Sequence, residues 1–235
     1  MSDQNLYIHS IYPATEGEGV LIGTPQVFVR FQGCNIGCIN CDSRETWDFK
    51  TGGTSYTLNQ TLDLIHKQAK KLKRVSITGG DPMHPMHLPK VKELTKALVA
   101  DGYQVNIEAS GTRVDDELFE LVSFISFDYK TPSTGVKTPI AHLIHLITTY
   151  PGKYQIKSVV EHSEDYQYIS KAYQRIFKQL SIHPVWVITP SFVPGTSFNR
   201  DLIKDTYEWN NDEGGTFRII PQQHKIIYGT ESLLV

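Results

Sequence analysis

The sequence lacks the features that would place it outside ordinary globular proteins. In 235 residues there are 23 Lys and Arg against 25 Asp and Glu, a net charge of -2. Since neither sign dominates, we expect no electrostatic binding to nucleic acid or to acidic membranes. No apolar run approaches the roughly 18–20 residues of a membrane-spanning helix, and residues 1–10 lack the basic and apolar regions of a signal peptide. We therefore expect a cytoplasmic protein with neither a membrane nor a nucleic acid as partner.

Cysteine is also scarce, and its three copies are clustered. Cys34, Cys38 and Cys41 all fall in 33-GCNIGCINCDS-43 with the spacing C-x3-C-x2-C. In a reducing compartment such clusters more often bind metal than form disulfides. Three thiolates can hold three irons of a [4Fe–4S] cluster and leave the fourth iron open to a ligand that is not protein.

Two simpler interpretations of the cysteines stay open at this point. Three unrelated buried thiols would explain the count, although such tight clustering makes this a poor explanation. A structural zinc ion would need a fourth ligand, and only one C-x2-C pair is present. The candidates for that ligand are Asp42, His9, His84 and His224.

Short β-branched runs alternate with helical patterns along the chain, and this predicts βα units and a parallel sheet. The resulting architecture is a doubly wound sheet or a full or partial barrel. The candidate strands are 26–31, 74–78, 103–110, 123–130, 153–160 and 184–189. The candidate helices are 58–72, 90–100, 115–122 and 163–180.

Unusual residues follow five of the predicted strands. In such folds the loops after the strands meet at one edge of the sheet and carry the chemistry. The sequence therefore predicts one site made of five loops. These are the cysteine loop, 78-TGGD-81, 108-EASGT-112, 128-DYK-130 and 189-TPS-191.

These motifs carry a resemblance to a known family. The cysteine spacing after an early strand resembles the radical S-adenosylmethionine (SAM) enzymes, and 78-TGGD-81 is similar to their glycine-rich element, with Asp81 in place of Glu. The N-terminal 10-SIYPATEGEGVLIGTPQVFVRFQGCN-35 resembles the 7-carboxy-7-deazaguanine synthase family, with Glu16 where Gln is usual. The segments 108-EASGT-112, 128-DYKTPSTG-135 and 218-RIIPQQHKIIYG-229 are also similar to that family.

The resemblance implies a fold and an activity. The fold is a single radical SAM domain over residues 1–235, a partial (β/α)6-type barrel with mostly parallel strands. The activity is conversion of 6-carboxy-5,6,7,8-tetrahydropterin to 7-carboxy-7-deazaguanine with loss of ammonia, a lyase step of queuosine and 7-deazapurine biosynthesis. It implies a [4Fe–4S] cluster, SAM and Mg2+ as cofactors, a flavodoxin- or ferredoxin-like external reductant, and a homodimer.

The resemblance also implies roles for individual residues. The cluster ligands are Cys34, Cys38 and Cys41, and SAM binds the open iron through its amino and carboxylate groups. Ser43 is the implied Mg2+ ligand. The implied SAM contacts are Asn40, Asp42, Gly80, Asp128, Tyr129, Lys130, Thr189 and Pro190. The implied substrate contacts are Thr15, Glu16, Gly17, Glu18, Arg30, Thr78 and His224. Because the radical comes from SAM, no side chain is predicted as a catalytic acid or base.

Physical chemistry supports three of these substrate roles. Carboxylates such as Glu18 and Glu16 suit the donor nitrogens of a pterin, and a guanidinium such as Arg30 suits its carboxylate. Two other functions remain as alternatives, namely an activating enzyme for a glycyl-radical protein and a non-catalytic, zinc-stabilised interaction module.

Overall fold

The computed structural model describes residues 5–192 and 199–229, which form one nine-stranded sheet with helices packed on it. The strand order is β3-β1-β2-β4-β5-β6-β7-β8-β9, so that within these residues β3 and β9 are open edges. The strands are β1 (Leu6–Thr15), β2 (Pro25–Phe31), β3 (Thr54–Tyr56), β4 (Arg74–Thr78), β5 (Gln104–Ala109), β6 (Phe124–Asp128), β7 (Tyr154–Val160), β8 (Trp186–Pro190) and β9 (Arg218–Ile219).

The sheet is parallel from β2 to β9, whereas β1 pairs antiparallel with both β2 and β3. This confirms the predicted α/β class with mostly parallel strands in an unclosed sheet. The six predicted strands correspond to β2, β4, β5, β6, β7 and β8. The strands β1, β3 and β9 were not predicted, although β1 is the longest strand among the described residues.

Seven α-helices lie in the described part of the chain. The predicted helices correspond to α1, α2, α3 and α5, while α4, α6 and α7 were not predicted. Their bounds are α1 (Leu58–Ala69), α2 (Leu88–Ala100), α3 (Asp116–Leu121), α4 (Ile140–Thr149), α5 (Ser163–Leu180), α6 (Arg200–Asp212) and α7 (Gln223–Tyr228).

Local sequence explains where several of these helices begin. Thr57 caps α1, because its hydroxyl accepts from Gln60 N at 3.2 Å while Gln60 Oε1 accepts from Thr57 N at 2.9 Å. This capping box satisfies two backbone donors that the helix itself leaves unpaired. Asp115 caps α3 in a simpler way by accepting from Leu118 N at 2.8 Å.

The parallel strands form the centre of the core, and their residues are mostly buried. All five residues of β8 are buried, as are four of the five in β4. The strand register then fixes the site, since Arg30 on β2 lies opposite Thr78 on β4 and Asp128 on β6 lies opposite Lys157 on β7. Within the ranges described, no helix is long and apolar enough to cross a membrane.

Candidate active site

A cavity of about 280 Å³ opens where the parallel strands end. It is lined by all of the site residues predicted from the sequence except Pro190, which is buried in β8 opposite Val160. Their roles remain predictions, but the fold does bring them to one place. The predicted residues in the lining are Thr15, Glu16, Gly17, Glu18, Arg30, Cys34, Cys38, Asn40, Cys41, Asp42, Ser43, Thr78, Gly80, Asp128, Tyr129, Lys130, Thr189 and His224.

The cysteine loop forms part of the wall, and its three thiols are partly exposed. Burial is the main cause that raises the pKa of Cys34, Cys38 and Cys41 above the usual thiol value. Metal loading would therefore have to displace protons from all three. The Cys41 sulfur also accepts a hydrogen bond from the indole Nε1 of Trp47 at 3.3 Å.

The thiols suit an iron–sulfur cluster better than a single ion. Within residues 5–192 and 199–229, no group of three or more His, Cys, Asp or Glu side chains is placed to hold one metal ion. The zinc alternative therefore lacks a ligand set in this part of the chain. One of its candidate ligands, His84, instead packs against the ring of Phe49 with 4.8 Å between centroids. A [4Fe–4S] cluster is larger than a single ion, and with one iron left open it needs three thiolates. The three thiols of the cavity wall supply that number.

The loop after β4 packs directly on the cysteine loop. Asp81 N donates to Gly33 O at 3.0 Å, and a Cβ on Gly80 would lie 2.4 Å from that same oxygen. Only glycine fits at this contact. The Asp81 carboxylate is fully buried, accepts from Met83 N at 3.1 Å and forms an ion pair with Arg113. Burial is the main cause that raises the pKa of Asp81.

Arg30 lies on the cavity side of β2 between two hydroxyl groups. Its Nη1 donates to Ser43 Oγ at 3.1 Å and its Nη2 to the Tyr12 hydroxyl at 3.2 Å, while its buried Nε has no hydrogen-bond partner among the described residues. Ser43 in turn donates to Asp42 Oδ1 at 3.0 Å. Burial disfavours the charged form of Asp42, but the positive charges of Arg30 and Lys225 outweigh it and lower the pKa of Asp42.

Glu16 is another buried acid of the site. Its Oε2 accepts from Gln26 Nε2 at 2.7 Å, and Gln26 Oε1 accepts from Arg74 Nε at 3.1 Å. Burial, followed by the negative charge of Glu108, raises the pKa of Glu16 to about 7. Glu16 is therefore set to change charge near neutral pH, whereas an ordinary exposed glutamate is ionised there.

Glu18 belongs to a second group of charges, centred on Lys157. Lys157 Nζ lies 2.7 Å from Glu108 Oε2 and 3.5 Å from Glu18 Oε2. Glu18 Oε1 also accepts from Gln222 Nε2 at 2.7 Å, which links the N-terminal loop to the C-terminal segment. Burial opposes the charge on Lys157, but Glu108 and Glu18 outweigh it and raise the pKa of Lys157 well above its usual value.

The glycine and histidine predicted as substrate contacts meet each other. A Cβ on Gly17 would lie 2.2 Å from His224 Nδ1, and Gln223 N donates to Gly17 O at 2.9 Å. Gly17 is therefore required for the close approach of α7 to the N-terminal loop. Burial is the main cause that lowers the pKa of His224, so that its neutral form is favoured at neutral pH.

The predicted SAM contacts differ in what they present to the cavity. Lys130 Nζ is 2.6 Å from Asp128 Oδ2, and both side chains lie at the end of β6. Tyr129 points into the core, where it stacks on Tyr168 at 5.4 Å, so its side chain mainly serves packing. Asn40 Nδ2 donates to Glu161 Oε1 at 2.7 Å.

Several lining residues were not assigned a role from the sequence, among them Tyr12, Glu108, Lys157 and Gln222. Glu108 was quoted only as part of a motif. A signal for Lys157 was present, because a lysine in the apolar strand 153-KYQIKSVV-160 is unusual. Tyr12 lies on β1, which was not predicted, so no predicted strand brought it near Arg30.

Comparisons with known proteins address the family. A family described as "4Fe-4S single cluster domain" matches residues 15–125, which include the three cysteines. A 7-carboxy-7-deazaguanine synthase of Thermoplasma acidophilum is 30% identical over 229 residues, covering 95% of this chain and 98% of the relative. The chain belongs to the 7-carboxy-7-deazaguanine synthase family.

Other relatives agree with this membership. A 7-carboxy-7-deazaguanine synthase of Bacillus cereus is 28% identical and covers 93% of this chain and 94% of its own. The crystal structure of QueE from Escherichia coli matches the fold with a TM-score of 0.67, 22% identity and coverage of 94% and 95%. The family predicted from the motifs is confirmed, and the chain is an enzyme of that family, for which an iron–sulfur cluster and SAM are implied. The relatives support neither of the alternative functions.

Proposed function

We propose that the protein converts 6-carboxy-5,6,7,8-tetrahydropterin to 7-carboxy-7-deazaguanine with loss of ammonia. The observation that carries this proposal is the combination of charges in one cavity. Arg30 supplies a guanidinium, and Glu16, Glu18 and Glu108 supply carboxylates, in the same cavity as the three thiols. This set complements a small heterocycle that has an acidic group and donor nitrogens.

The chemistry that the cluster and SAM supply, when bound, is generation of a 5′-deoxyadenosyl radical that removes hydrogen from C6 of the pterin. Cys34, Cys38 and Cys41 would hold the cluster. The residues of this chain position the pterin and keep water away from the reacting carbon. Asp128 and Lys130, which form a close ion pair at the cavity wall, would contact SAM in this proposal.

Arg30 binds the substrate carboxylate in this proposal. The Nε of Arg30 is buried and has no hydrogen-bond partner among the described residues. Because buried donors are normally hydrogen-bonded, an incoming carboxylate oxygen would supply the acceptor that this N–H lacks. A two-pronged contact of this kind gives orientation as well as affinity. Glu18, which is oriented by Gln222 and Lys157, accepts from the donor nitrogens of the pterin ring.

The Mg2+ ion is assigned to Ser43. Hard cations prefer oxygen ligands, and Mg2+ usually keeps several waters beside a few protein or substrate oxygens. The Ser43 hydroxyl and the ionised Asp42 carboxylate supply two oxygens 3.0 Å apart at the cavity wall. The hydrogen bond from Arg30 to Ser43 would have to open as the ion and the substrate carboxylate bind.

The proposal is tested by an anaerobic assay of cluster-reconstituted protein with SAM, Mg2+, a reductant and the pterin. We expect 7-carboxy-7-deazaguanine, identified by mass and ultraviolet spectrum, and no product from Cys38→Ala. SAM cleavage to 5′-deoxyadenosine without this product would keep the radical chemistry and reject the pterin as substrate. Three further expectations stay predictions: one domain over residues 1–235, a cytoplasmic homodimer, and a flavodoxin- or ferredoxin-like reductant.

A further inference from the structure

The three cysteine sulfurs have different hydrogen-bond donors around them. Cys41 Sγ accepts from the indole nitrogen of Trp47 at 3.3 Å. Cys34 Sγ accepts from the backbone N–H of Ile36 at 3.5 Å. Donors on ligand sulfurs are one of the means by which a protein adjusts the reduction potential of an iron–sulfur cluster.

Trp47 is held in place by contacts on several sides. It follows the short 3-10 helix Arg44–Thr46, and its own N–H donates to Arg44 O at 3.1 Å. The guanidinium of Arg44 lies 5.7 Å from the centre of the indole ring. Trp47 O accepts from Cys34 N at 3.1 Å. Trp47 thus ties the first cysteine through its backbone and the third through its side chain.

A second set of contacts connects this arrangement to the loop after β4. Gly33 N donates to Thr46 O at 2.7 Å, and Thr46 Oγ1 accepts from Gly80 N at 3.1 Å. Thr46 is fully buried, while the indole of Trp47 reaches the cavity wall. The indole N–H is therefore fixed beside Cys41 by residues that do not depend on a bound cluster.

We propose that Trp47 is a positioning residue that raises the reduction potential of the cluster held by the three cysteines. One-electron reduction adds negative charge that spreads onto the ligand sulfurs, and an N–H donor stabilises that charge. Removing the donor makes reduction harder. The inference rests on the cluster assignment within the proposed function, but not on the identity of the substrate.

The test is a potentiometric titration of reconstituted Trp47→Phe followed by electron paramagnetic resonance. This substitution keeps an aromatic ring and removes the N–H. We expect a midpoint potential more negative than that of the wild type at equal iron and sulfide content. The matched control is Trp209→Phe on α6, where the ring packs against Tyr166, and its potential should equal that of the wild type.

A measurement on the wild type covers the case in which Trp47→Phe fails to hold iron. With 15N-labelled tryptophan, we expect a hyperfine coupling between one indole nitrogen and the reduced cluster, and its absence overturns the inference. An unchanged or more positive potential in Trp47→Phe also overturns it and leaves the proposed function intact. Wild-type protein that binds no iron and sulfide rejects both.

Discussion

Replacing Lys157 with methionine would remove the positive charge that lies between Glu108 and Glu18. Methionine has a similar length and fills most of the same space, so the change isolates the charge from the packing. The side chain of Lys157 is 13% exposed, that of Glu108 17% and that of Glu18 18%. Water can therefore replace little of the lost interaction. Glu16 lies close enough to add further repulsion.

The magnitude follows from the two distances. At an effective dielectric constant of about 20, the gross attraction is roughly 6 kcal/mol for the 2.7 Å pair and roughly 5 kcal/mol for the 3.5 Å pair. Much of this sum is offset by the cost of taking the ammonium out of water. Removing one partner of a buried ion pair costs about 3–5 kcal/mol, and we expect Lys157→Met to lose that much free energy of unfolding.

The assay is urea unfolding of wild type, Lys157→Met and the double variant Lys157→Met/Glu108→Gln at pH 8 and near pH 5. The double variant should recover part of the loss, because neutralising Glu108 removes one of the unpaired charges. The deficit of the single variant should shrink at the lower pH, because Glu16, whose pKa is raised to about 7, is protonated there and no longer adds its negative charge. Lys204→Met is the control, because Lys204 is 74% exposed and its ion pair with Glu208, at 3.7 Å, lies in water. We expect its free energy of unfolding to change by less than about 0.5 kcal/mol.

Two results would refute this reasoning. A loss below about 1 kcal/mol for Lys157→Met would mean that the carboxylates need no counter-charge, which contradicts their burial. A double variant no more stable than the single one would show that the loss comes from packing and not from charge.

Three further predictions concern the same cavity. Arg30→Lys keeps the charge but loses the forked donors, so KM for the pterin should rise at least tenfold in steady-state assays while iron content stays constant; an unchanged KM would reject the carboxylate contact. Because the pKa of Glu16 is raised from 4.5 to about 7, the folded state binds the extra proton, and its stability should fall as pH rises from about 4.5 to 7. Glu16→Gln should flatten that fall in urea titrations, and an equally steep profile would contradict it. Gly80→Ala should reduce iron incorporation, measured per chain after reconstitution, because its Cβ would collide with Gly33 O; normal loading would show that the two loops can separate.

Local patterns in the sequence were enough to predict most of the parallel part of the fold, namely β2 and β4 to β8. Strands with β-branched runs and a capping box such as that of Thr57 depend on near neighbours in the chain. By contrast, β1 mixes half-buried and buried positions without clean alternation, because its register shifts between Ile8 and Ser10. That irregularity hid the longest described strand, and with it Tyr12.

The sequence by itself determined the family, the three thiols and the edge of the sheet where the loops meet, because motif spacing and strand–helix alternation are properties of consecutive residues. Only the tertiary structure decided which side chains meet across that edge. Glu18 and Lys157 are 139 positions apart, which is too far for any local pattern to relate them. The strand order nevertheless brings Lys157 Nζ to 3.5 Å from Glu18 Oε2. The tertiary structure also decided that the side chain of Tyr129 lies in the core, where it stacks on the ring of Tyr168. Chemistry that depends on long-range contacts is set by packing, since burial and neighbouring charge exist only once the chain has folded.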